Sequence, residues 1–167
     1  YPNKDKVSNI EYEVIPDRIE AGTFMIAALI TKGDITIKKI NVGHLESVSE
    51  KIKEAGGHIT IVDDSTIRIQ YSGKVNSANI ETAEYPGYPT DLQAQWMALM
   101  AVADGESSVK ENIYKDRFTH ISELIRLGAD IVFNGSEALI KGKEKLVAAP
   151  VMSTDIRASA SLILAAL

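Results

Sequence analysis

Apolar residues along the chain form two kinds of helical pattern. Two segments, about Ile19–Thr31 and Leu92–Ala103, are apolar around almost their whole circumference and predict helices that are buried on every side. Two others, Leu45–Ala55 and Phe118–Leu127, carry charged residues opposite an apolar face and predict more exposed helices. Short apolar runs between the helices predict strands at Asp34–Lys38, His58–Val62, Thr66–Gln70, Glu106–Lys110, Asp130–Phe133 and Ala138–Lys141.

This alternation of helices and strands indicates an α/β protein, and its order occurs twice. When the chain is shifted by 72 residues, Gly33 falls on Gly105 and Gly56 falls on Gly128. Each copy contains a buried helix, a strand, an amphipathic helix that ends at glycine, and two strands in a hairpin. The equal spacing of the glycines in the two copies indicates an internal repeat.

A third copy begins near the C-terminal end and contains one apolar helix, which runs to Leu167 without a residue that would end it. Since a chain rarely stops inside an apolar helix, we interpret it as a piece of a longer protein. We expect one domain over 1–167, with internal repeats at about 14–85, 86–150 and 151–167, the last of them incomplete.

Composition narrows the class of protein. An apolar fraction of 45% and a charged fraction of 25% are typical of globular domains. A net charge of −5, with 18 scattered basic residues, argues against a nucleic-acid partner, and no apolar run approaches the ~20 residues that cross a membrane. The absence of cysteine excludes disulfides, thiolate nucleophiles and cysteine-based zinc sites. The three histidines lack metal-ligand spacing, so we expect no metal site.

Capping patterns mark the starts of the first two buried helices. Asp17 and Glu20 form a capping pair at the first helix, where we expect a structural role for Asp17. At the second helix the sequence Pro-Thr-Asp-Leu-Gln predicts that Thr90 caps the helix and that Gln93 reaches back to it. Asp91 then has no capping task, so it either stabilises the positive end of the helix or has a chemical role.

Asp155 and Arg157 repeat the arrangement of Asp91 at the start of the third helix. In one interpretation they cap the helix and form a local ion pair. In the other they face the same cleft as Asp91. The pattern favours neither interpretation.

Four segments of the chain carry a family resemblance: Pro16–Thr23, Pro89–Gln95, Asn112–Phe118 and Met152–Ser161. The third of them leads into a His-x-x-Glu-Leu run, and the similarity continues in order from about Val14 to Leu167. These segments resemble the UDP-N-acetylglucosamine 1-carboxyvinyltransferases, the enolpyruvyl transferases of the first committed step of peptidoglycan synthesis.

The resemblance implies an inside-out α/β barrel of two domains, each built from three βαβαββ units. This chain would be most of the C-terminal domain, with two repeats and the start of a third. The implied reaction moves the enolpyruvyl group of phosphoenolpyruvate to the 3-hydroxyl of UDP-N-acetylglucosamine and releases phosphate, without a cofactor. It takes place in the cytoplasm and serves cell wall biogenesis, and through it cell shape and cell division.

The implied partners of the chain are these two substrates and the N-terminal domain of the same enzyme. The catalytic cysteine of the family lies on a loop of that other domain, and the 167 residues contain no cysteine. We therefore expect the chain alone to be inactive.

The resemblance also assigns roles to residues. Asp91 matches the general base that takes the proton of the sugar hydroxyl, which is a poor nucleophile at neutral pH. Ile113 matches a residue that contacts the sugar nucleotide through its backbone; as an alternative, it is a buried β-branched residue. Tyr114 packs on the ligand or belongs to the core.

Three further residues complete the expected site. Arg117 reaches anionic groups of the ligand, or else pairs with Asp116 or another aspartate nearby. For Asp155 and Arg157 the family implies positioning and product release. The expected substrate-binding residues are thus Asp91, Ile113, Tyr114, Arg117, Asp155 and Arg157.

Two other functions stay open at this point. The 5-enolpyruvylshikimate-3-phosphate (EPSP) synthases share the fold and the chemistry, although their helix starts differ from the run at 89–95. A repeat module that binds a partner without catalysis is the alternative from another class, because the chain lacks the catalytic half.

Overall fold

Helices and strands alternate along residues 11–114 and 116–167, which are the residues that the structure, a computed structural model, describes. Lys115, inside one of the segments that carry the family resemblance, lies outside them. The α-helices are α1 (Arg18–Ile30), α2 (Glu46–Glu54), α3 (Gln93–Met100), α4 (Ile121–Arg126) and α5 (Ile156–Ala166). The strands are β1 (Asp34–Lys38), β2 (Gly57–Asp63), β3 (Thr66–Tyr71), β4 (Ile80–Glu81), β5 (Glu106–Lys110), β6 (Asp130–Asn134) and β7 (Glu137–Lys141).

The strands form two separate sheets, and in the described residues these do not close into a barrel. The first sheet is antiparallel, in the order β1-β3-β2, with Ile35 opposite Ile69 and Ile37 opposite Ile67. The second has the order β4-β5-β7-β6, and β4 runs parallel to β5. The six predicted strands are confirmed to within one residue at each end. Strand β4 was not predicted, because two residues are too few to show an alternating pattern.

The order of elements from α1 to β3 recurs from α3 to β7: helix, strand, helix, hairpin. The second helix of each group ends at a glycine with positive φ, Gly56 at 91° and Gly128 at 89°, as the capping pattern predicts. Gln95 Nε2 also donates to Thr23 Oγ1 at 3.3 Å, across positions 72 residues apart. We propose that the groups are copies of one unit and that α5 begins a third.

Helix α3 lies at the centre of the molecule, and all eight of its residues are buried. It packs mainly against α5 and also against α1. The Trp96 side chain is 0% exposed, and its Nε1 donates to the carbonyl oxygen of Ala78 at 3.1 Å. The prediction of a fully buried helix is therefore correct for α3. For α1 it is wrong at Phe24, which is 53% exposed because none of the described residues covers that face of α1. No helix in the described ranges is long and apolar enough to cross a membrane.

Asp17 caps α1 as predicted. Its Oδ1 accepts the backbone N–H of Ile19 at 2.7 Å and that of Glu20 at 3.3 Å. These two donors have no partner inside the helix, so the carboxylate replaces the hydrogen bonds that the first turn lacks.

We expect Asp17→Ala to lower the free energy of unfolding by about 1 kcal/mol, because alanine leaves both N–H groups without this acceptor. Asp17→Asn should restore most of the loss, since asparagine is an equally good capping residue. Urea unfolding of the two variants beside the unchanged protein measures both effects. Equal stability of the alanine variant would contradict the capping role.

Candidate active site

The start of α3 differs from the predicted capping box. Thr90–Leu92 forms one turn of 3-10 helix before α3, and the residue that precedes it, Pro89, makes no side-chain cap. The Thr90 hydroxyl bonds to other side chains, and Gln93 Nε2 is buried without a hydrogen-bond partner among the described residues. The prediction is wrong because Glu111, distant in sequence, offers Thr90 a charged acceptor. Asp91 lies in the middle of this turn.

Two arginines from distant parts of the chain converge on Asp91. Arg117 Nη1 donates to Asp91 Oδ1 at 2.8 Å, and Arg157 Nε donates to the same oxygen at 2.6 Å. Arg117 follows β5, whereas Arg157 lies in the first turn of α5. Asp91 Oδ2 accepts no hydrogen bond from the described residues, and the Asp91 side chain is 39% exposed. Both arginines thus hold one carboxylate oxygen, and the other has no partner in the described part of the chain.

Tyr114 lies beside this ion pair. Its ring is 56% exposed, and the guanidinium carbon of Arg117 lies 4.3 Å from the ring centroid, within cation–π distance. The alternative that Tyr114 belongs to the core is therefore wrong. Ile113 is half-buried, and its N–H donates to a carboxylate oxygen of Glu111 at 2.8 Å. The Ile113 carbonyl oxygen accepts nothing from the described residues.

Asp155 caps α5. Its Oδ1 accepts the N–H of Arg157 at 2.9 Å and that of Ala158 at 3.1 Å. The hydrogen bond from Ala158 is the main reason why the pKa of Asp155 lies below its usual value. The capping interpretation of Asp155 is confirmed. The local ion pair with Arg157 is not formed, because the Arg157 side chain extends to Asp91 instead.

A cavity of about 30 Å³ lies between the two arginines and the start of α5. His120, which is 2% exposed, lines it, and burial lowers the pKa of His120 to about 4. The space suits one water molecule and not a sugar, so a ligand would lie on the exposed side of Asp91 and Tyr114. Within the described ranges, no group of three or more metal-ligating side chains comes together.

Glu111 belongs to this site although no sequence pattern predicts it. It follows β5, is 1% exposed, and its carboxylate binds both the Thr90 turn and the backbone of 113–114. Its neighbours in sequence are lysine and asparagine, which are typical of a solvent-exposed strand end. Nothing local distinguishes it from a surface glutamate.

Comparison with known proteins agrees with the fold and the resemblance. A sequence profile of the family described as EPSP synthase (3-phosphoshikimate 1-carboxyvinyltransferase) matches residues 1–167. Among curated relatives, a UDP-N-acetylglucosamine 1-carboxyvinyltransferase of Geotalea daltonii is 54% identical over 95% of this chain and 38% of its own length. Proteins of the same name from Geobacter metallireducens and Myxococcus xanthus are 52% and 49% identical, over 97% and 98% of this chain and 39% of their own lengths.

Solved structures show the same fold at lower identity. The enolpyruvyl transferase NikO of Streptomyces tendae aligns with a TM-score of 0.79 and 24% identity, over 92% of this chain and 37% of its own. An EPSP synthase of Acinetobacter baumannii aligns with a TM-score of 0.66 and 20% identity, over 91% and 39%. The chain spans about two fifths of the length of the curated relatives it matches. The resemblance predicted from the helix starts is thus confirmed, and the chain belongs to the EPSP synthase family of carboxyvinyltransferases.

Proposed function

We propose that the protein that contains this chain is a cytoplasmic transferase of peptidoglycan synthesis. It moves the enolpyruvyl group of phosphoenolpyruvate to the 3-hydroxyl of UDP-N-acetylglucosamine and releases phosphate. One observation carries the proposal: Asp91 is oriented by Arg117 and Arg157 beside the exposed ring of Tyr114. Relatives that are about half identical and are named for this substrate support it.

Asp91 is the general base of the proposed reaction. The sugar hydroxyl oxygen attacks the substituted alkene carbon of phosphoenolpyruvate, and its proton passes to Asp91 Oδ2 as the new C–O bond forms. At the same time the terminal CH2 carbon takes a proton from a general acid outside these 167 residues and becomes a methyl group. The product of this addition is a tetrahedral ketal, and loss of phosphate together with one proton of its methyl group restores the double bond. Because both arginines hold Oδ1, they fix the direction in which Oδ2 points.

The other residues bind the substrates. The exposed Tyr114 ring supplies an apolar face against which the sugar nucleotide packs. The Ile113 carbonyl oxygen accepts a hydrogen bond from the sugar nucleotide. Arg117 and Arg157 have N–H groups beyond those used on Asp91, so they can contact anionic groups of the substrates. Asp155 acts by fixing the start of α5, and so the position of Arg157.

Family membership alone leaves open which molecule accepts the enolpyruvyl group, because the matching profile is named for EPSP synthase. The solved structure of an EPSP synthase is 20% identical to this chain and supports only the fold. We therefore choose the acceptor that the relatives at about 50% identity are named for.

The test is phosphate release by the complete protein from phosphoenolpyruvate, with either UDP-N-acetylglucosamine or shikimate 3-phosphate as acceptor. We expect turnover with the first acceptor alone. The 167-residue chain should release no phosphate under the same conditions, because we place the catalytic cysteine in the N-terminal domain. Turnover with shikimate 3-phosphate would overturn the choice of substrate, and inactivity of the complete protein with both acceptors would overturn the enzyme proposal.

A further inference from the structure

Glu111 is a buried carboxylate that no part of the proposed reaction uses. Only 1% of the residue is exposed, and burying a carboxylate is costly unless hydrogen bonds compensate for the lost water. Four donors surround it. Oε1 accepts from Thr82 Oγ1 at 2.8 Å, from Ile113 N at 2.8 Å and from Tyr114 N at 3.0 Å, and Oε2 accepts from Thr90 Oγ1 at 2.9 Å.

These donors come from three separate segments, and each of the three binds this one side chain. Thr82 follows β4, Thr90 begins the turn that carries Asp91, and the third segment is the backbone of 113–114 beside the exposed tyrosine ring. One carboxylate thus joins the segment that holds the proposed base to the segment that contacts the sugar nucleotide.

The link from Glu111 to Asp91 has a defined direction. A threonine hydroxyl has one hydrogen, and here it points to Glu111 because an ionised carboxylate can only accept. The hydroxyl oxygen then offers its lone pairs to Arg117 Nη1, at 2.9 Å. The same nitrogen donates to Asp91 Oδ1 at 2.8 Å, so Glu111 orients Thr90, Thr90 holds Arg117, and Arg117 holds Asp91.

We propose that Glu111 is a positioning residue for the transfer reaction, which aligns Asp91 with the sugar nucleotide bound at 113–114. The inference rests on the proposed function, because only a reaction between these two segments needs their alignment. Glu111 touches neither substrate nor the proposed base. Its effect is on the geometry of the base and therefore on kcat more than on KM.

Glu111→Gln separates the two halves of this network. The amide oxygen can still accept from Thr82, Ile113 and Tyr114, so the sugar-binding backbone keeps its anchor. The amide nitrogen is a donor, so the Thr90 hydroxyl loses the acceptor that fixes its orientation towards Arg117. In the complete protein we expect kcat to fall about tenfold, with KM for UDP-N-acetylglucosamine within about threefold of the unchanged enzyme.

Thr90 tests the same link from its other end. Thr90→Val removes the hydroxyl and should lower kcat about as much as Glu111→Gln does, whereas Thr90→Ser keeps the hydroxyl and should retain kcat. The double variant, Glu111→Gln with Thr90→Val, should lose no more than either single variant, because both break one connection. Glu106→Gln, at an exposed glutamate on β5, is the matched control and should have unchanged kcat.

Steady-state measurements of kcat and KM for these variants test the positioning role of Glu111, and circular dichroism confirms that each variant is folded. A Glu111→Gln enzyme with kcat within twofold of the unchanged enzyme would overturn the inference, as would losses that multiply in the double variant. If Glu111→Gln does not fold, the contrast between Thr90→Val and Thr90→Ser gives the answer. Inactivity of the unchanged enzyme would instead show that the proposed function fails.

Discussion

Asp91→Asn in the complete protein should lower kcat by about a hundredfold or more and leave thermal stability almost unchanged. Asparagine has the shape of aspartate, and its amide oxygen still accepts hydrogen bonds from Arg117 and Arg157. It cannot take a proton from the sugar hydroxyl, and loss of a general base usually costs 10²- to 10⁴-fold in rate. The ion pairs are partly exposed, so losing the charge should cost roughly 1 kcal/mol of stability or less. Steady-state kinetics and a thermal melt of the same variant measure the two effects.

The matched control is Asp17→Asn, because Asp17 also precedes a largely buried helix but only caps it. We expect this variant to keep both its rate and its melting temperature, since asparagine caps as well as aspartate does. KM of the Asp91 variant for the sugar nucleotide should change little, because the amide still hydrogen-bonds to a hydroxyl. A normal rate with a lower melting temperature would show that Asp91 only stabilises the helix start, and would end its assignment as the base.

The second large effect concerns stability in acid. Burial lowers the pKa of His120 from 6.5 to about 4 in the folded protein, whereas the unfolded chain keeps the ordinary value. Between these two pH values the unfolded state binds a proton that the folded state does not, so stability falls as the pH falls from about 6.5 to about 4. At about 1.4 kcal/mol per pH unit, His120 should remove about 3 kcal/mol of stability over this range.

Urea unfolding of the 167-residue chain at a series of pH values measures this loss, followed by the fluorescence of its single tryptophan. Other groups titrate in the same range. The informative quantity is therefore the difference in free energy of unfolding between the unchanged chain and His120→Gln at each pH. That difference should change by about 3 kcal/mol across the range. His58→Gln, which makes the same substitution at an exposed histidine, is the matched control. If the free energy of unfolding depends on pH equally in His120→Gln and in the unchanged chain, His120 is not the cause of the loss of stability in acid.

Local patterns predicted most of the fold. The isoleucines of β1 and β3 alternate with polar residues, so the sequence shows both the strands and their buried face. The cap at Asp17 and the glycines that end α2 and α4 depend on contacts within a few residues, which a sequence pattern can capture.

The candidate site could be predicted only in part, because its contacts join residues far apart in the chain. Asp91 is 26 residues from Arg117 and 66 residues from Arg157, and no periodicity spans such distances. Thr90 fits a capping pattern but bonds to a carboxylate 21 residues away, which the pattern cannot include. The family resemblance placed Arg117 and Arg157 in one substrate-binding set with Asp91, whereas the repeated helix start left open whether Arg157 faces the same cleft.

The central position of α3 has a consequence for how the chain is made. Its main packing partner, α5, follows it only after three strands of the second sheet, β5, β6 and β7, and after α4. At a synthesis rate of about 5–20 residues per second, α3 leaves the ribosome several seconds before α5 does. During that interval the growing polypeptide carries an apolar helix with one side uncovered, a surface of the kind that chaperones bind. A ribosome that stalls between the two helices would therefore display a nascent chain prone to aggregation.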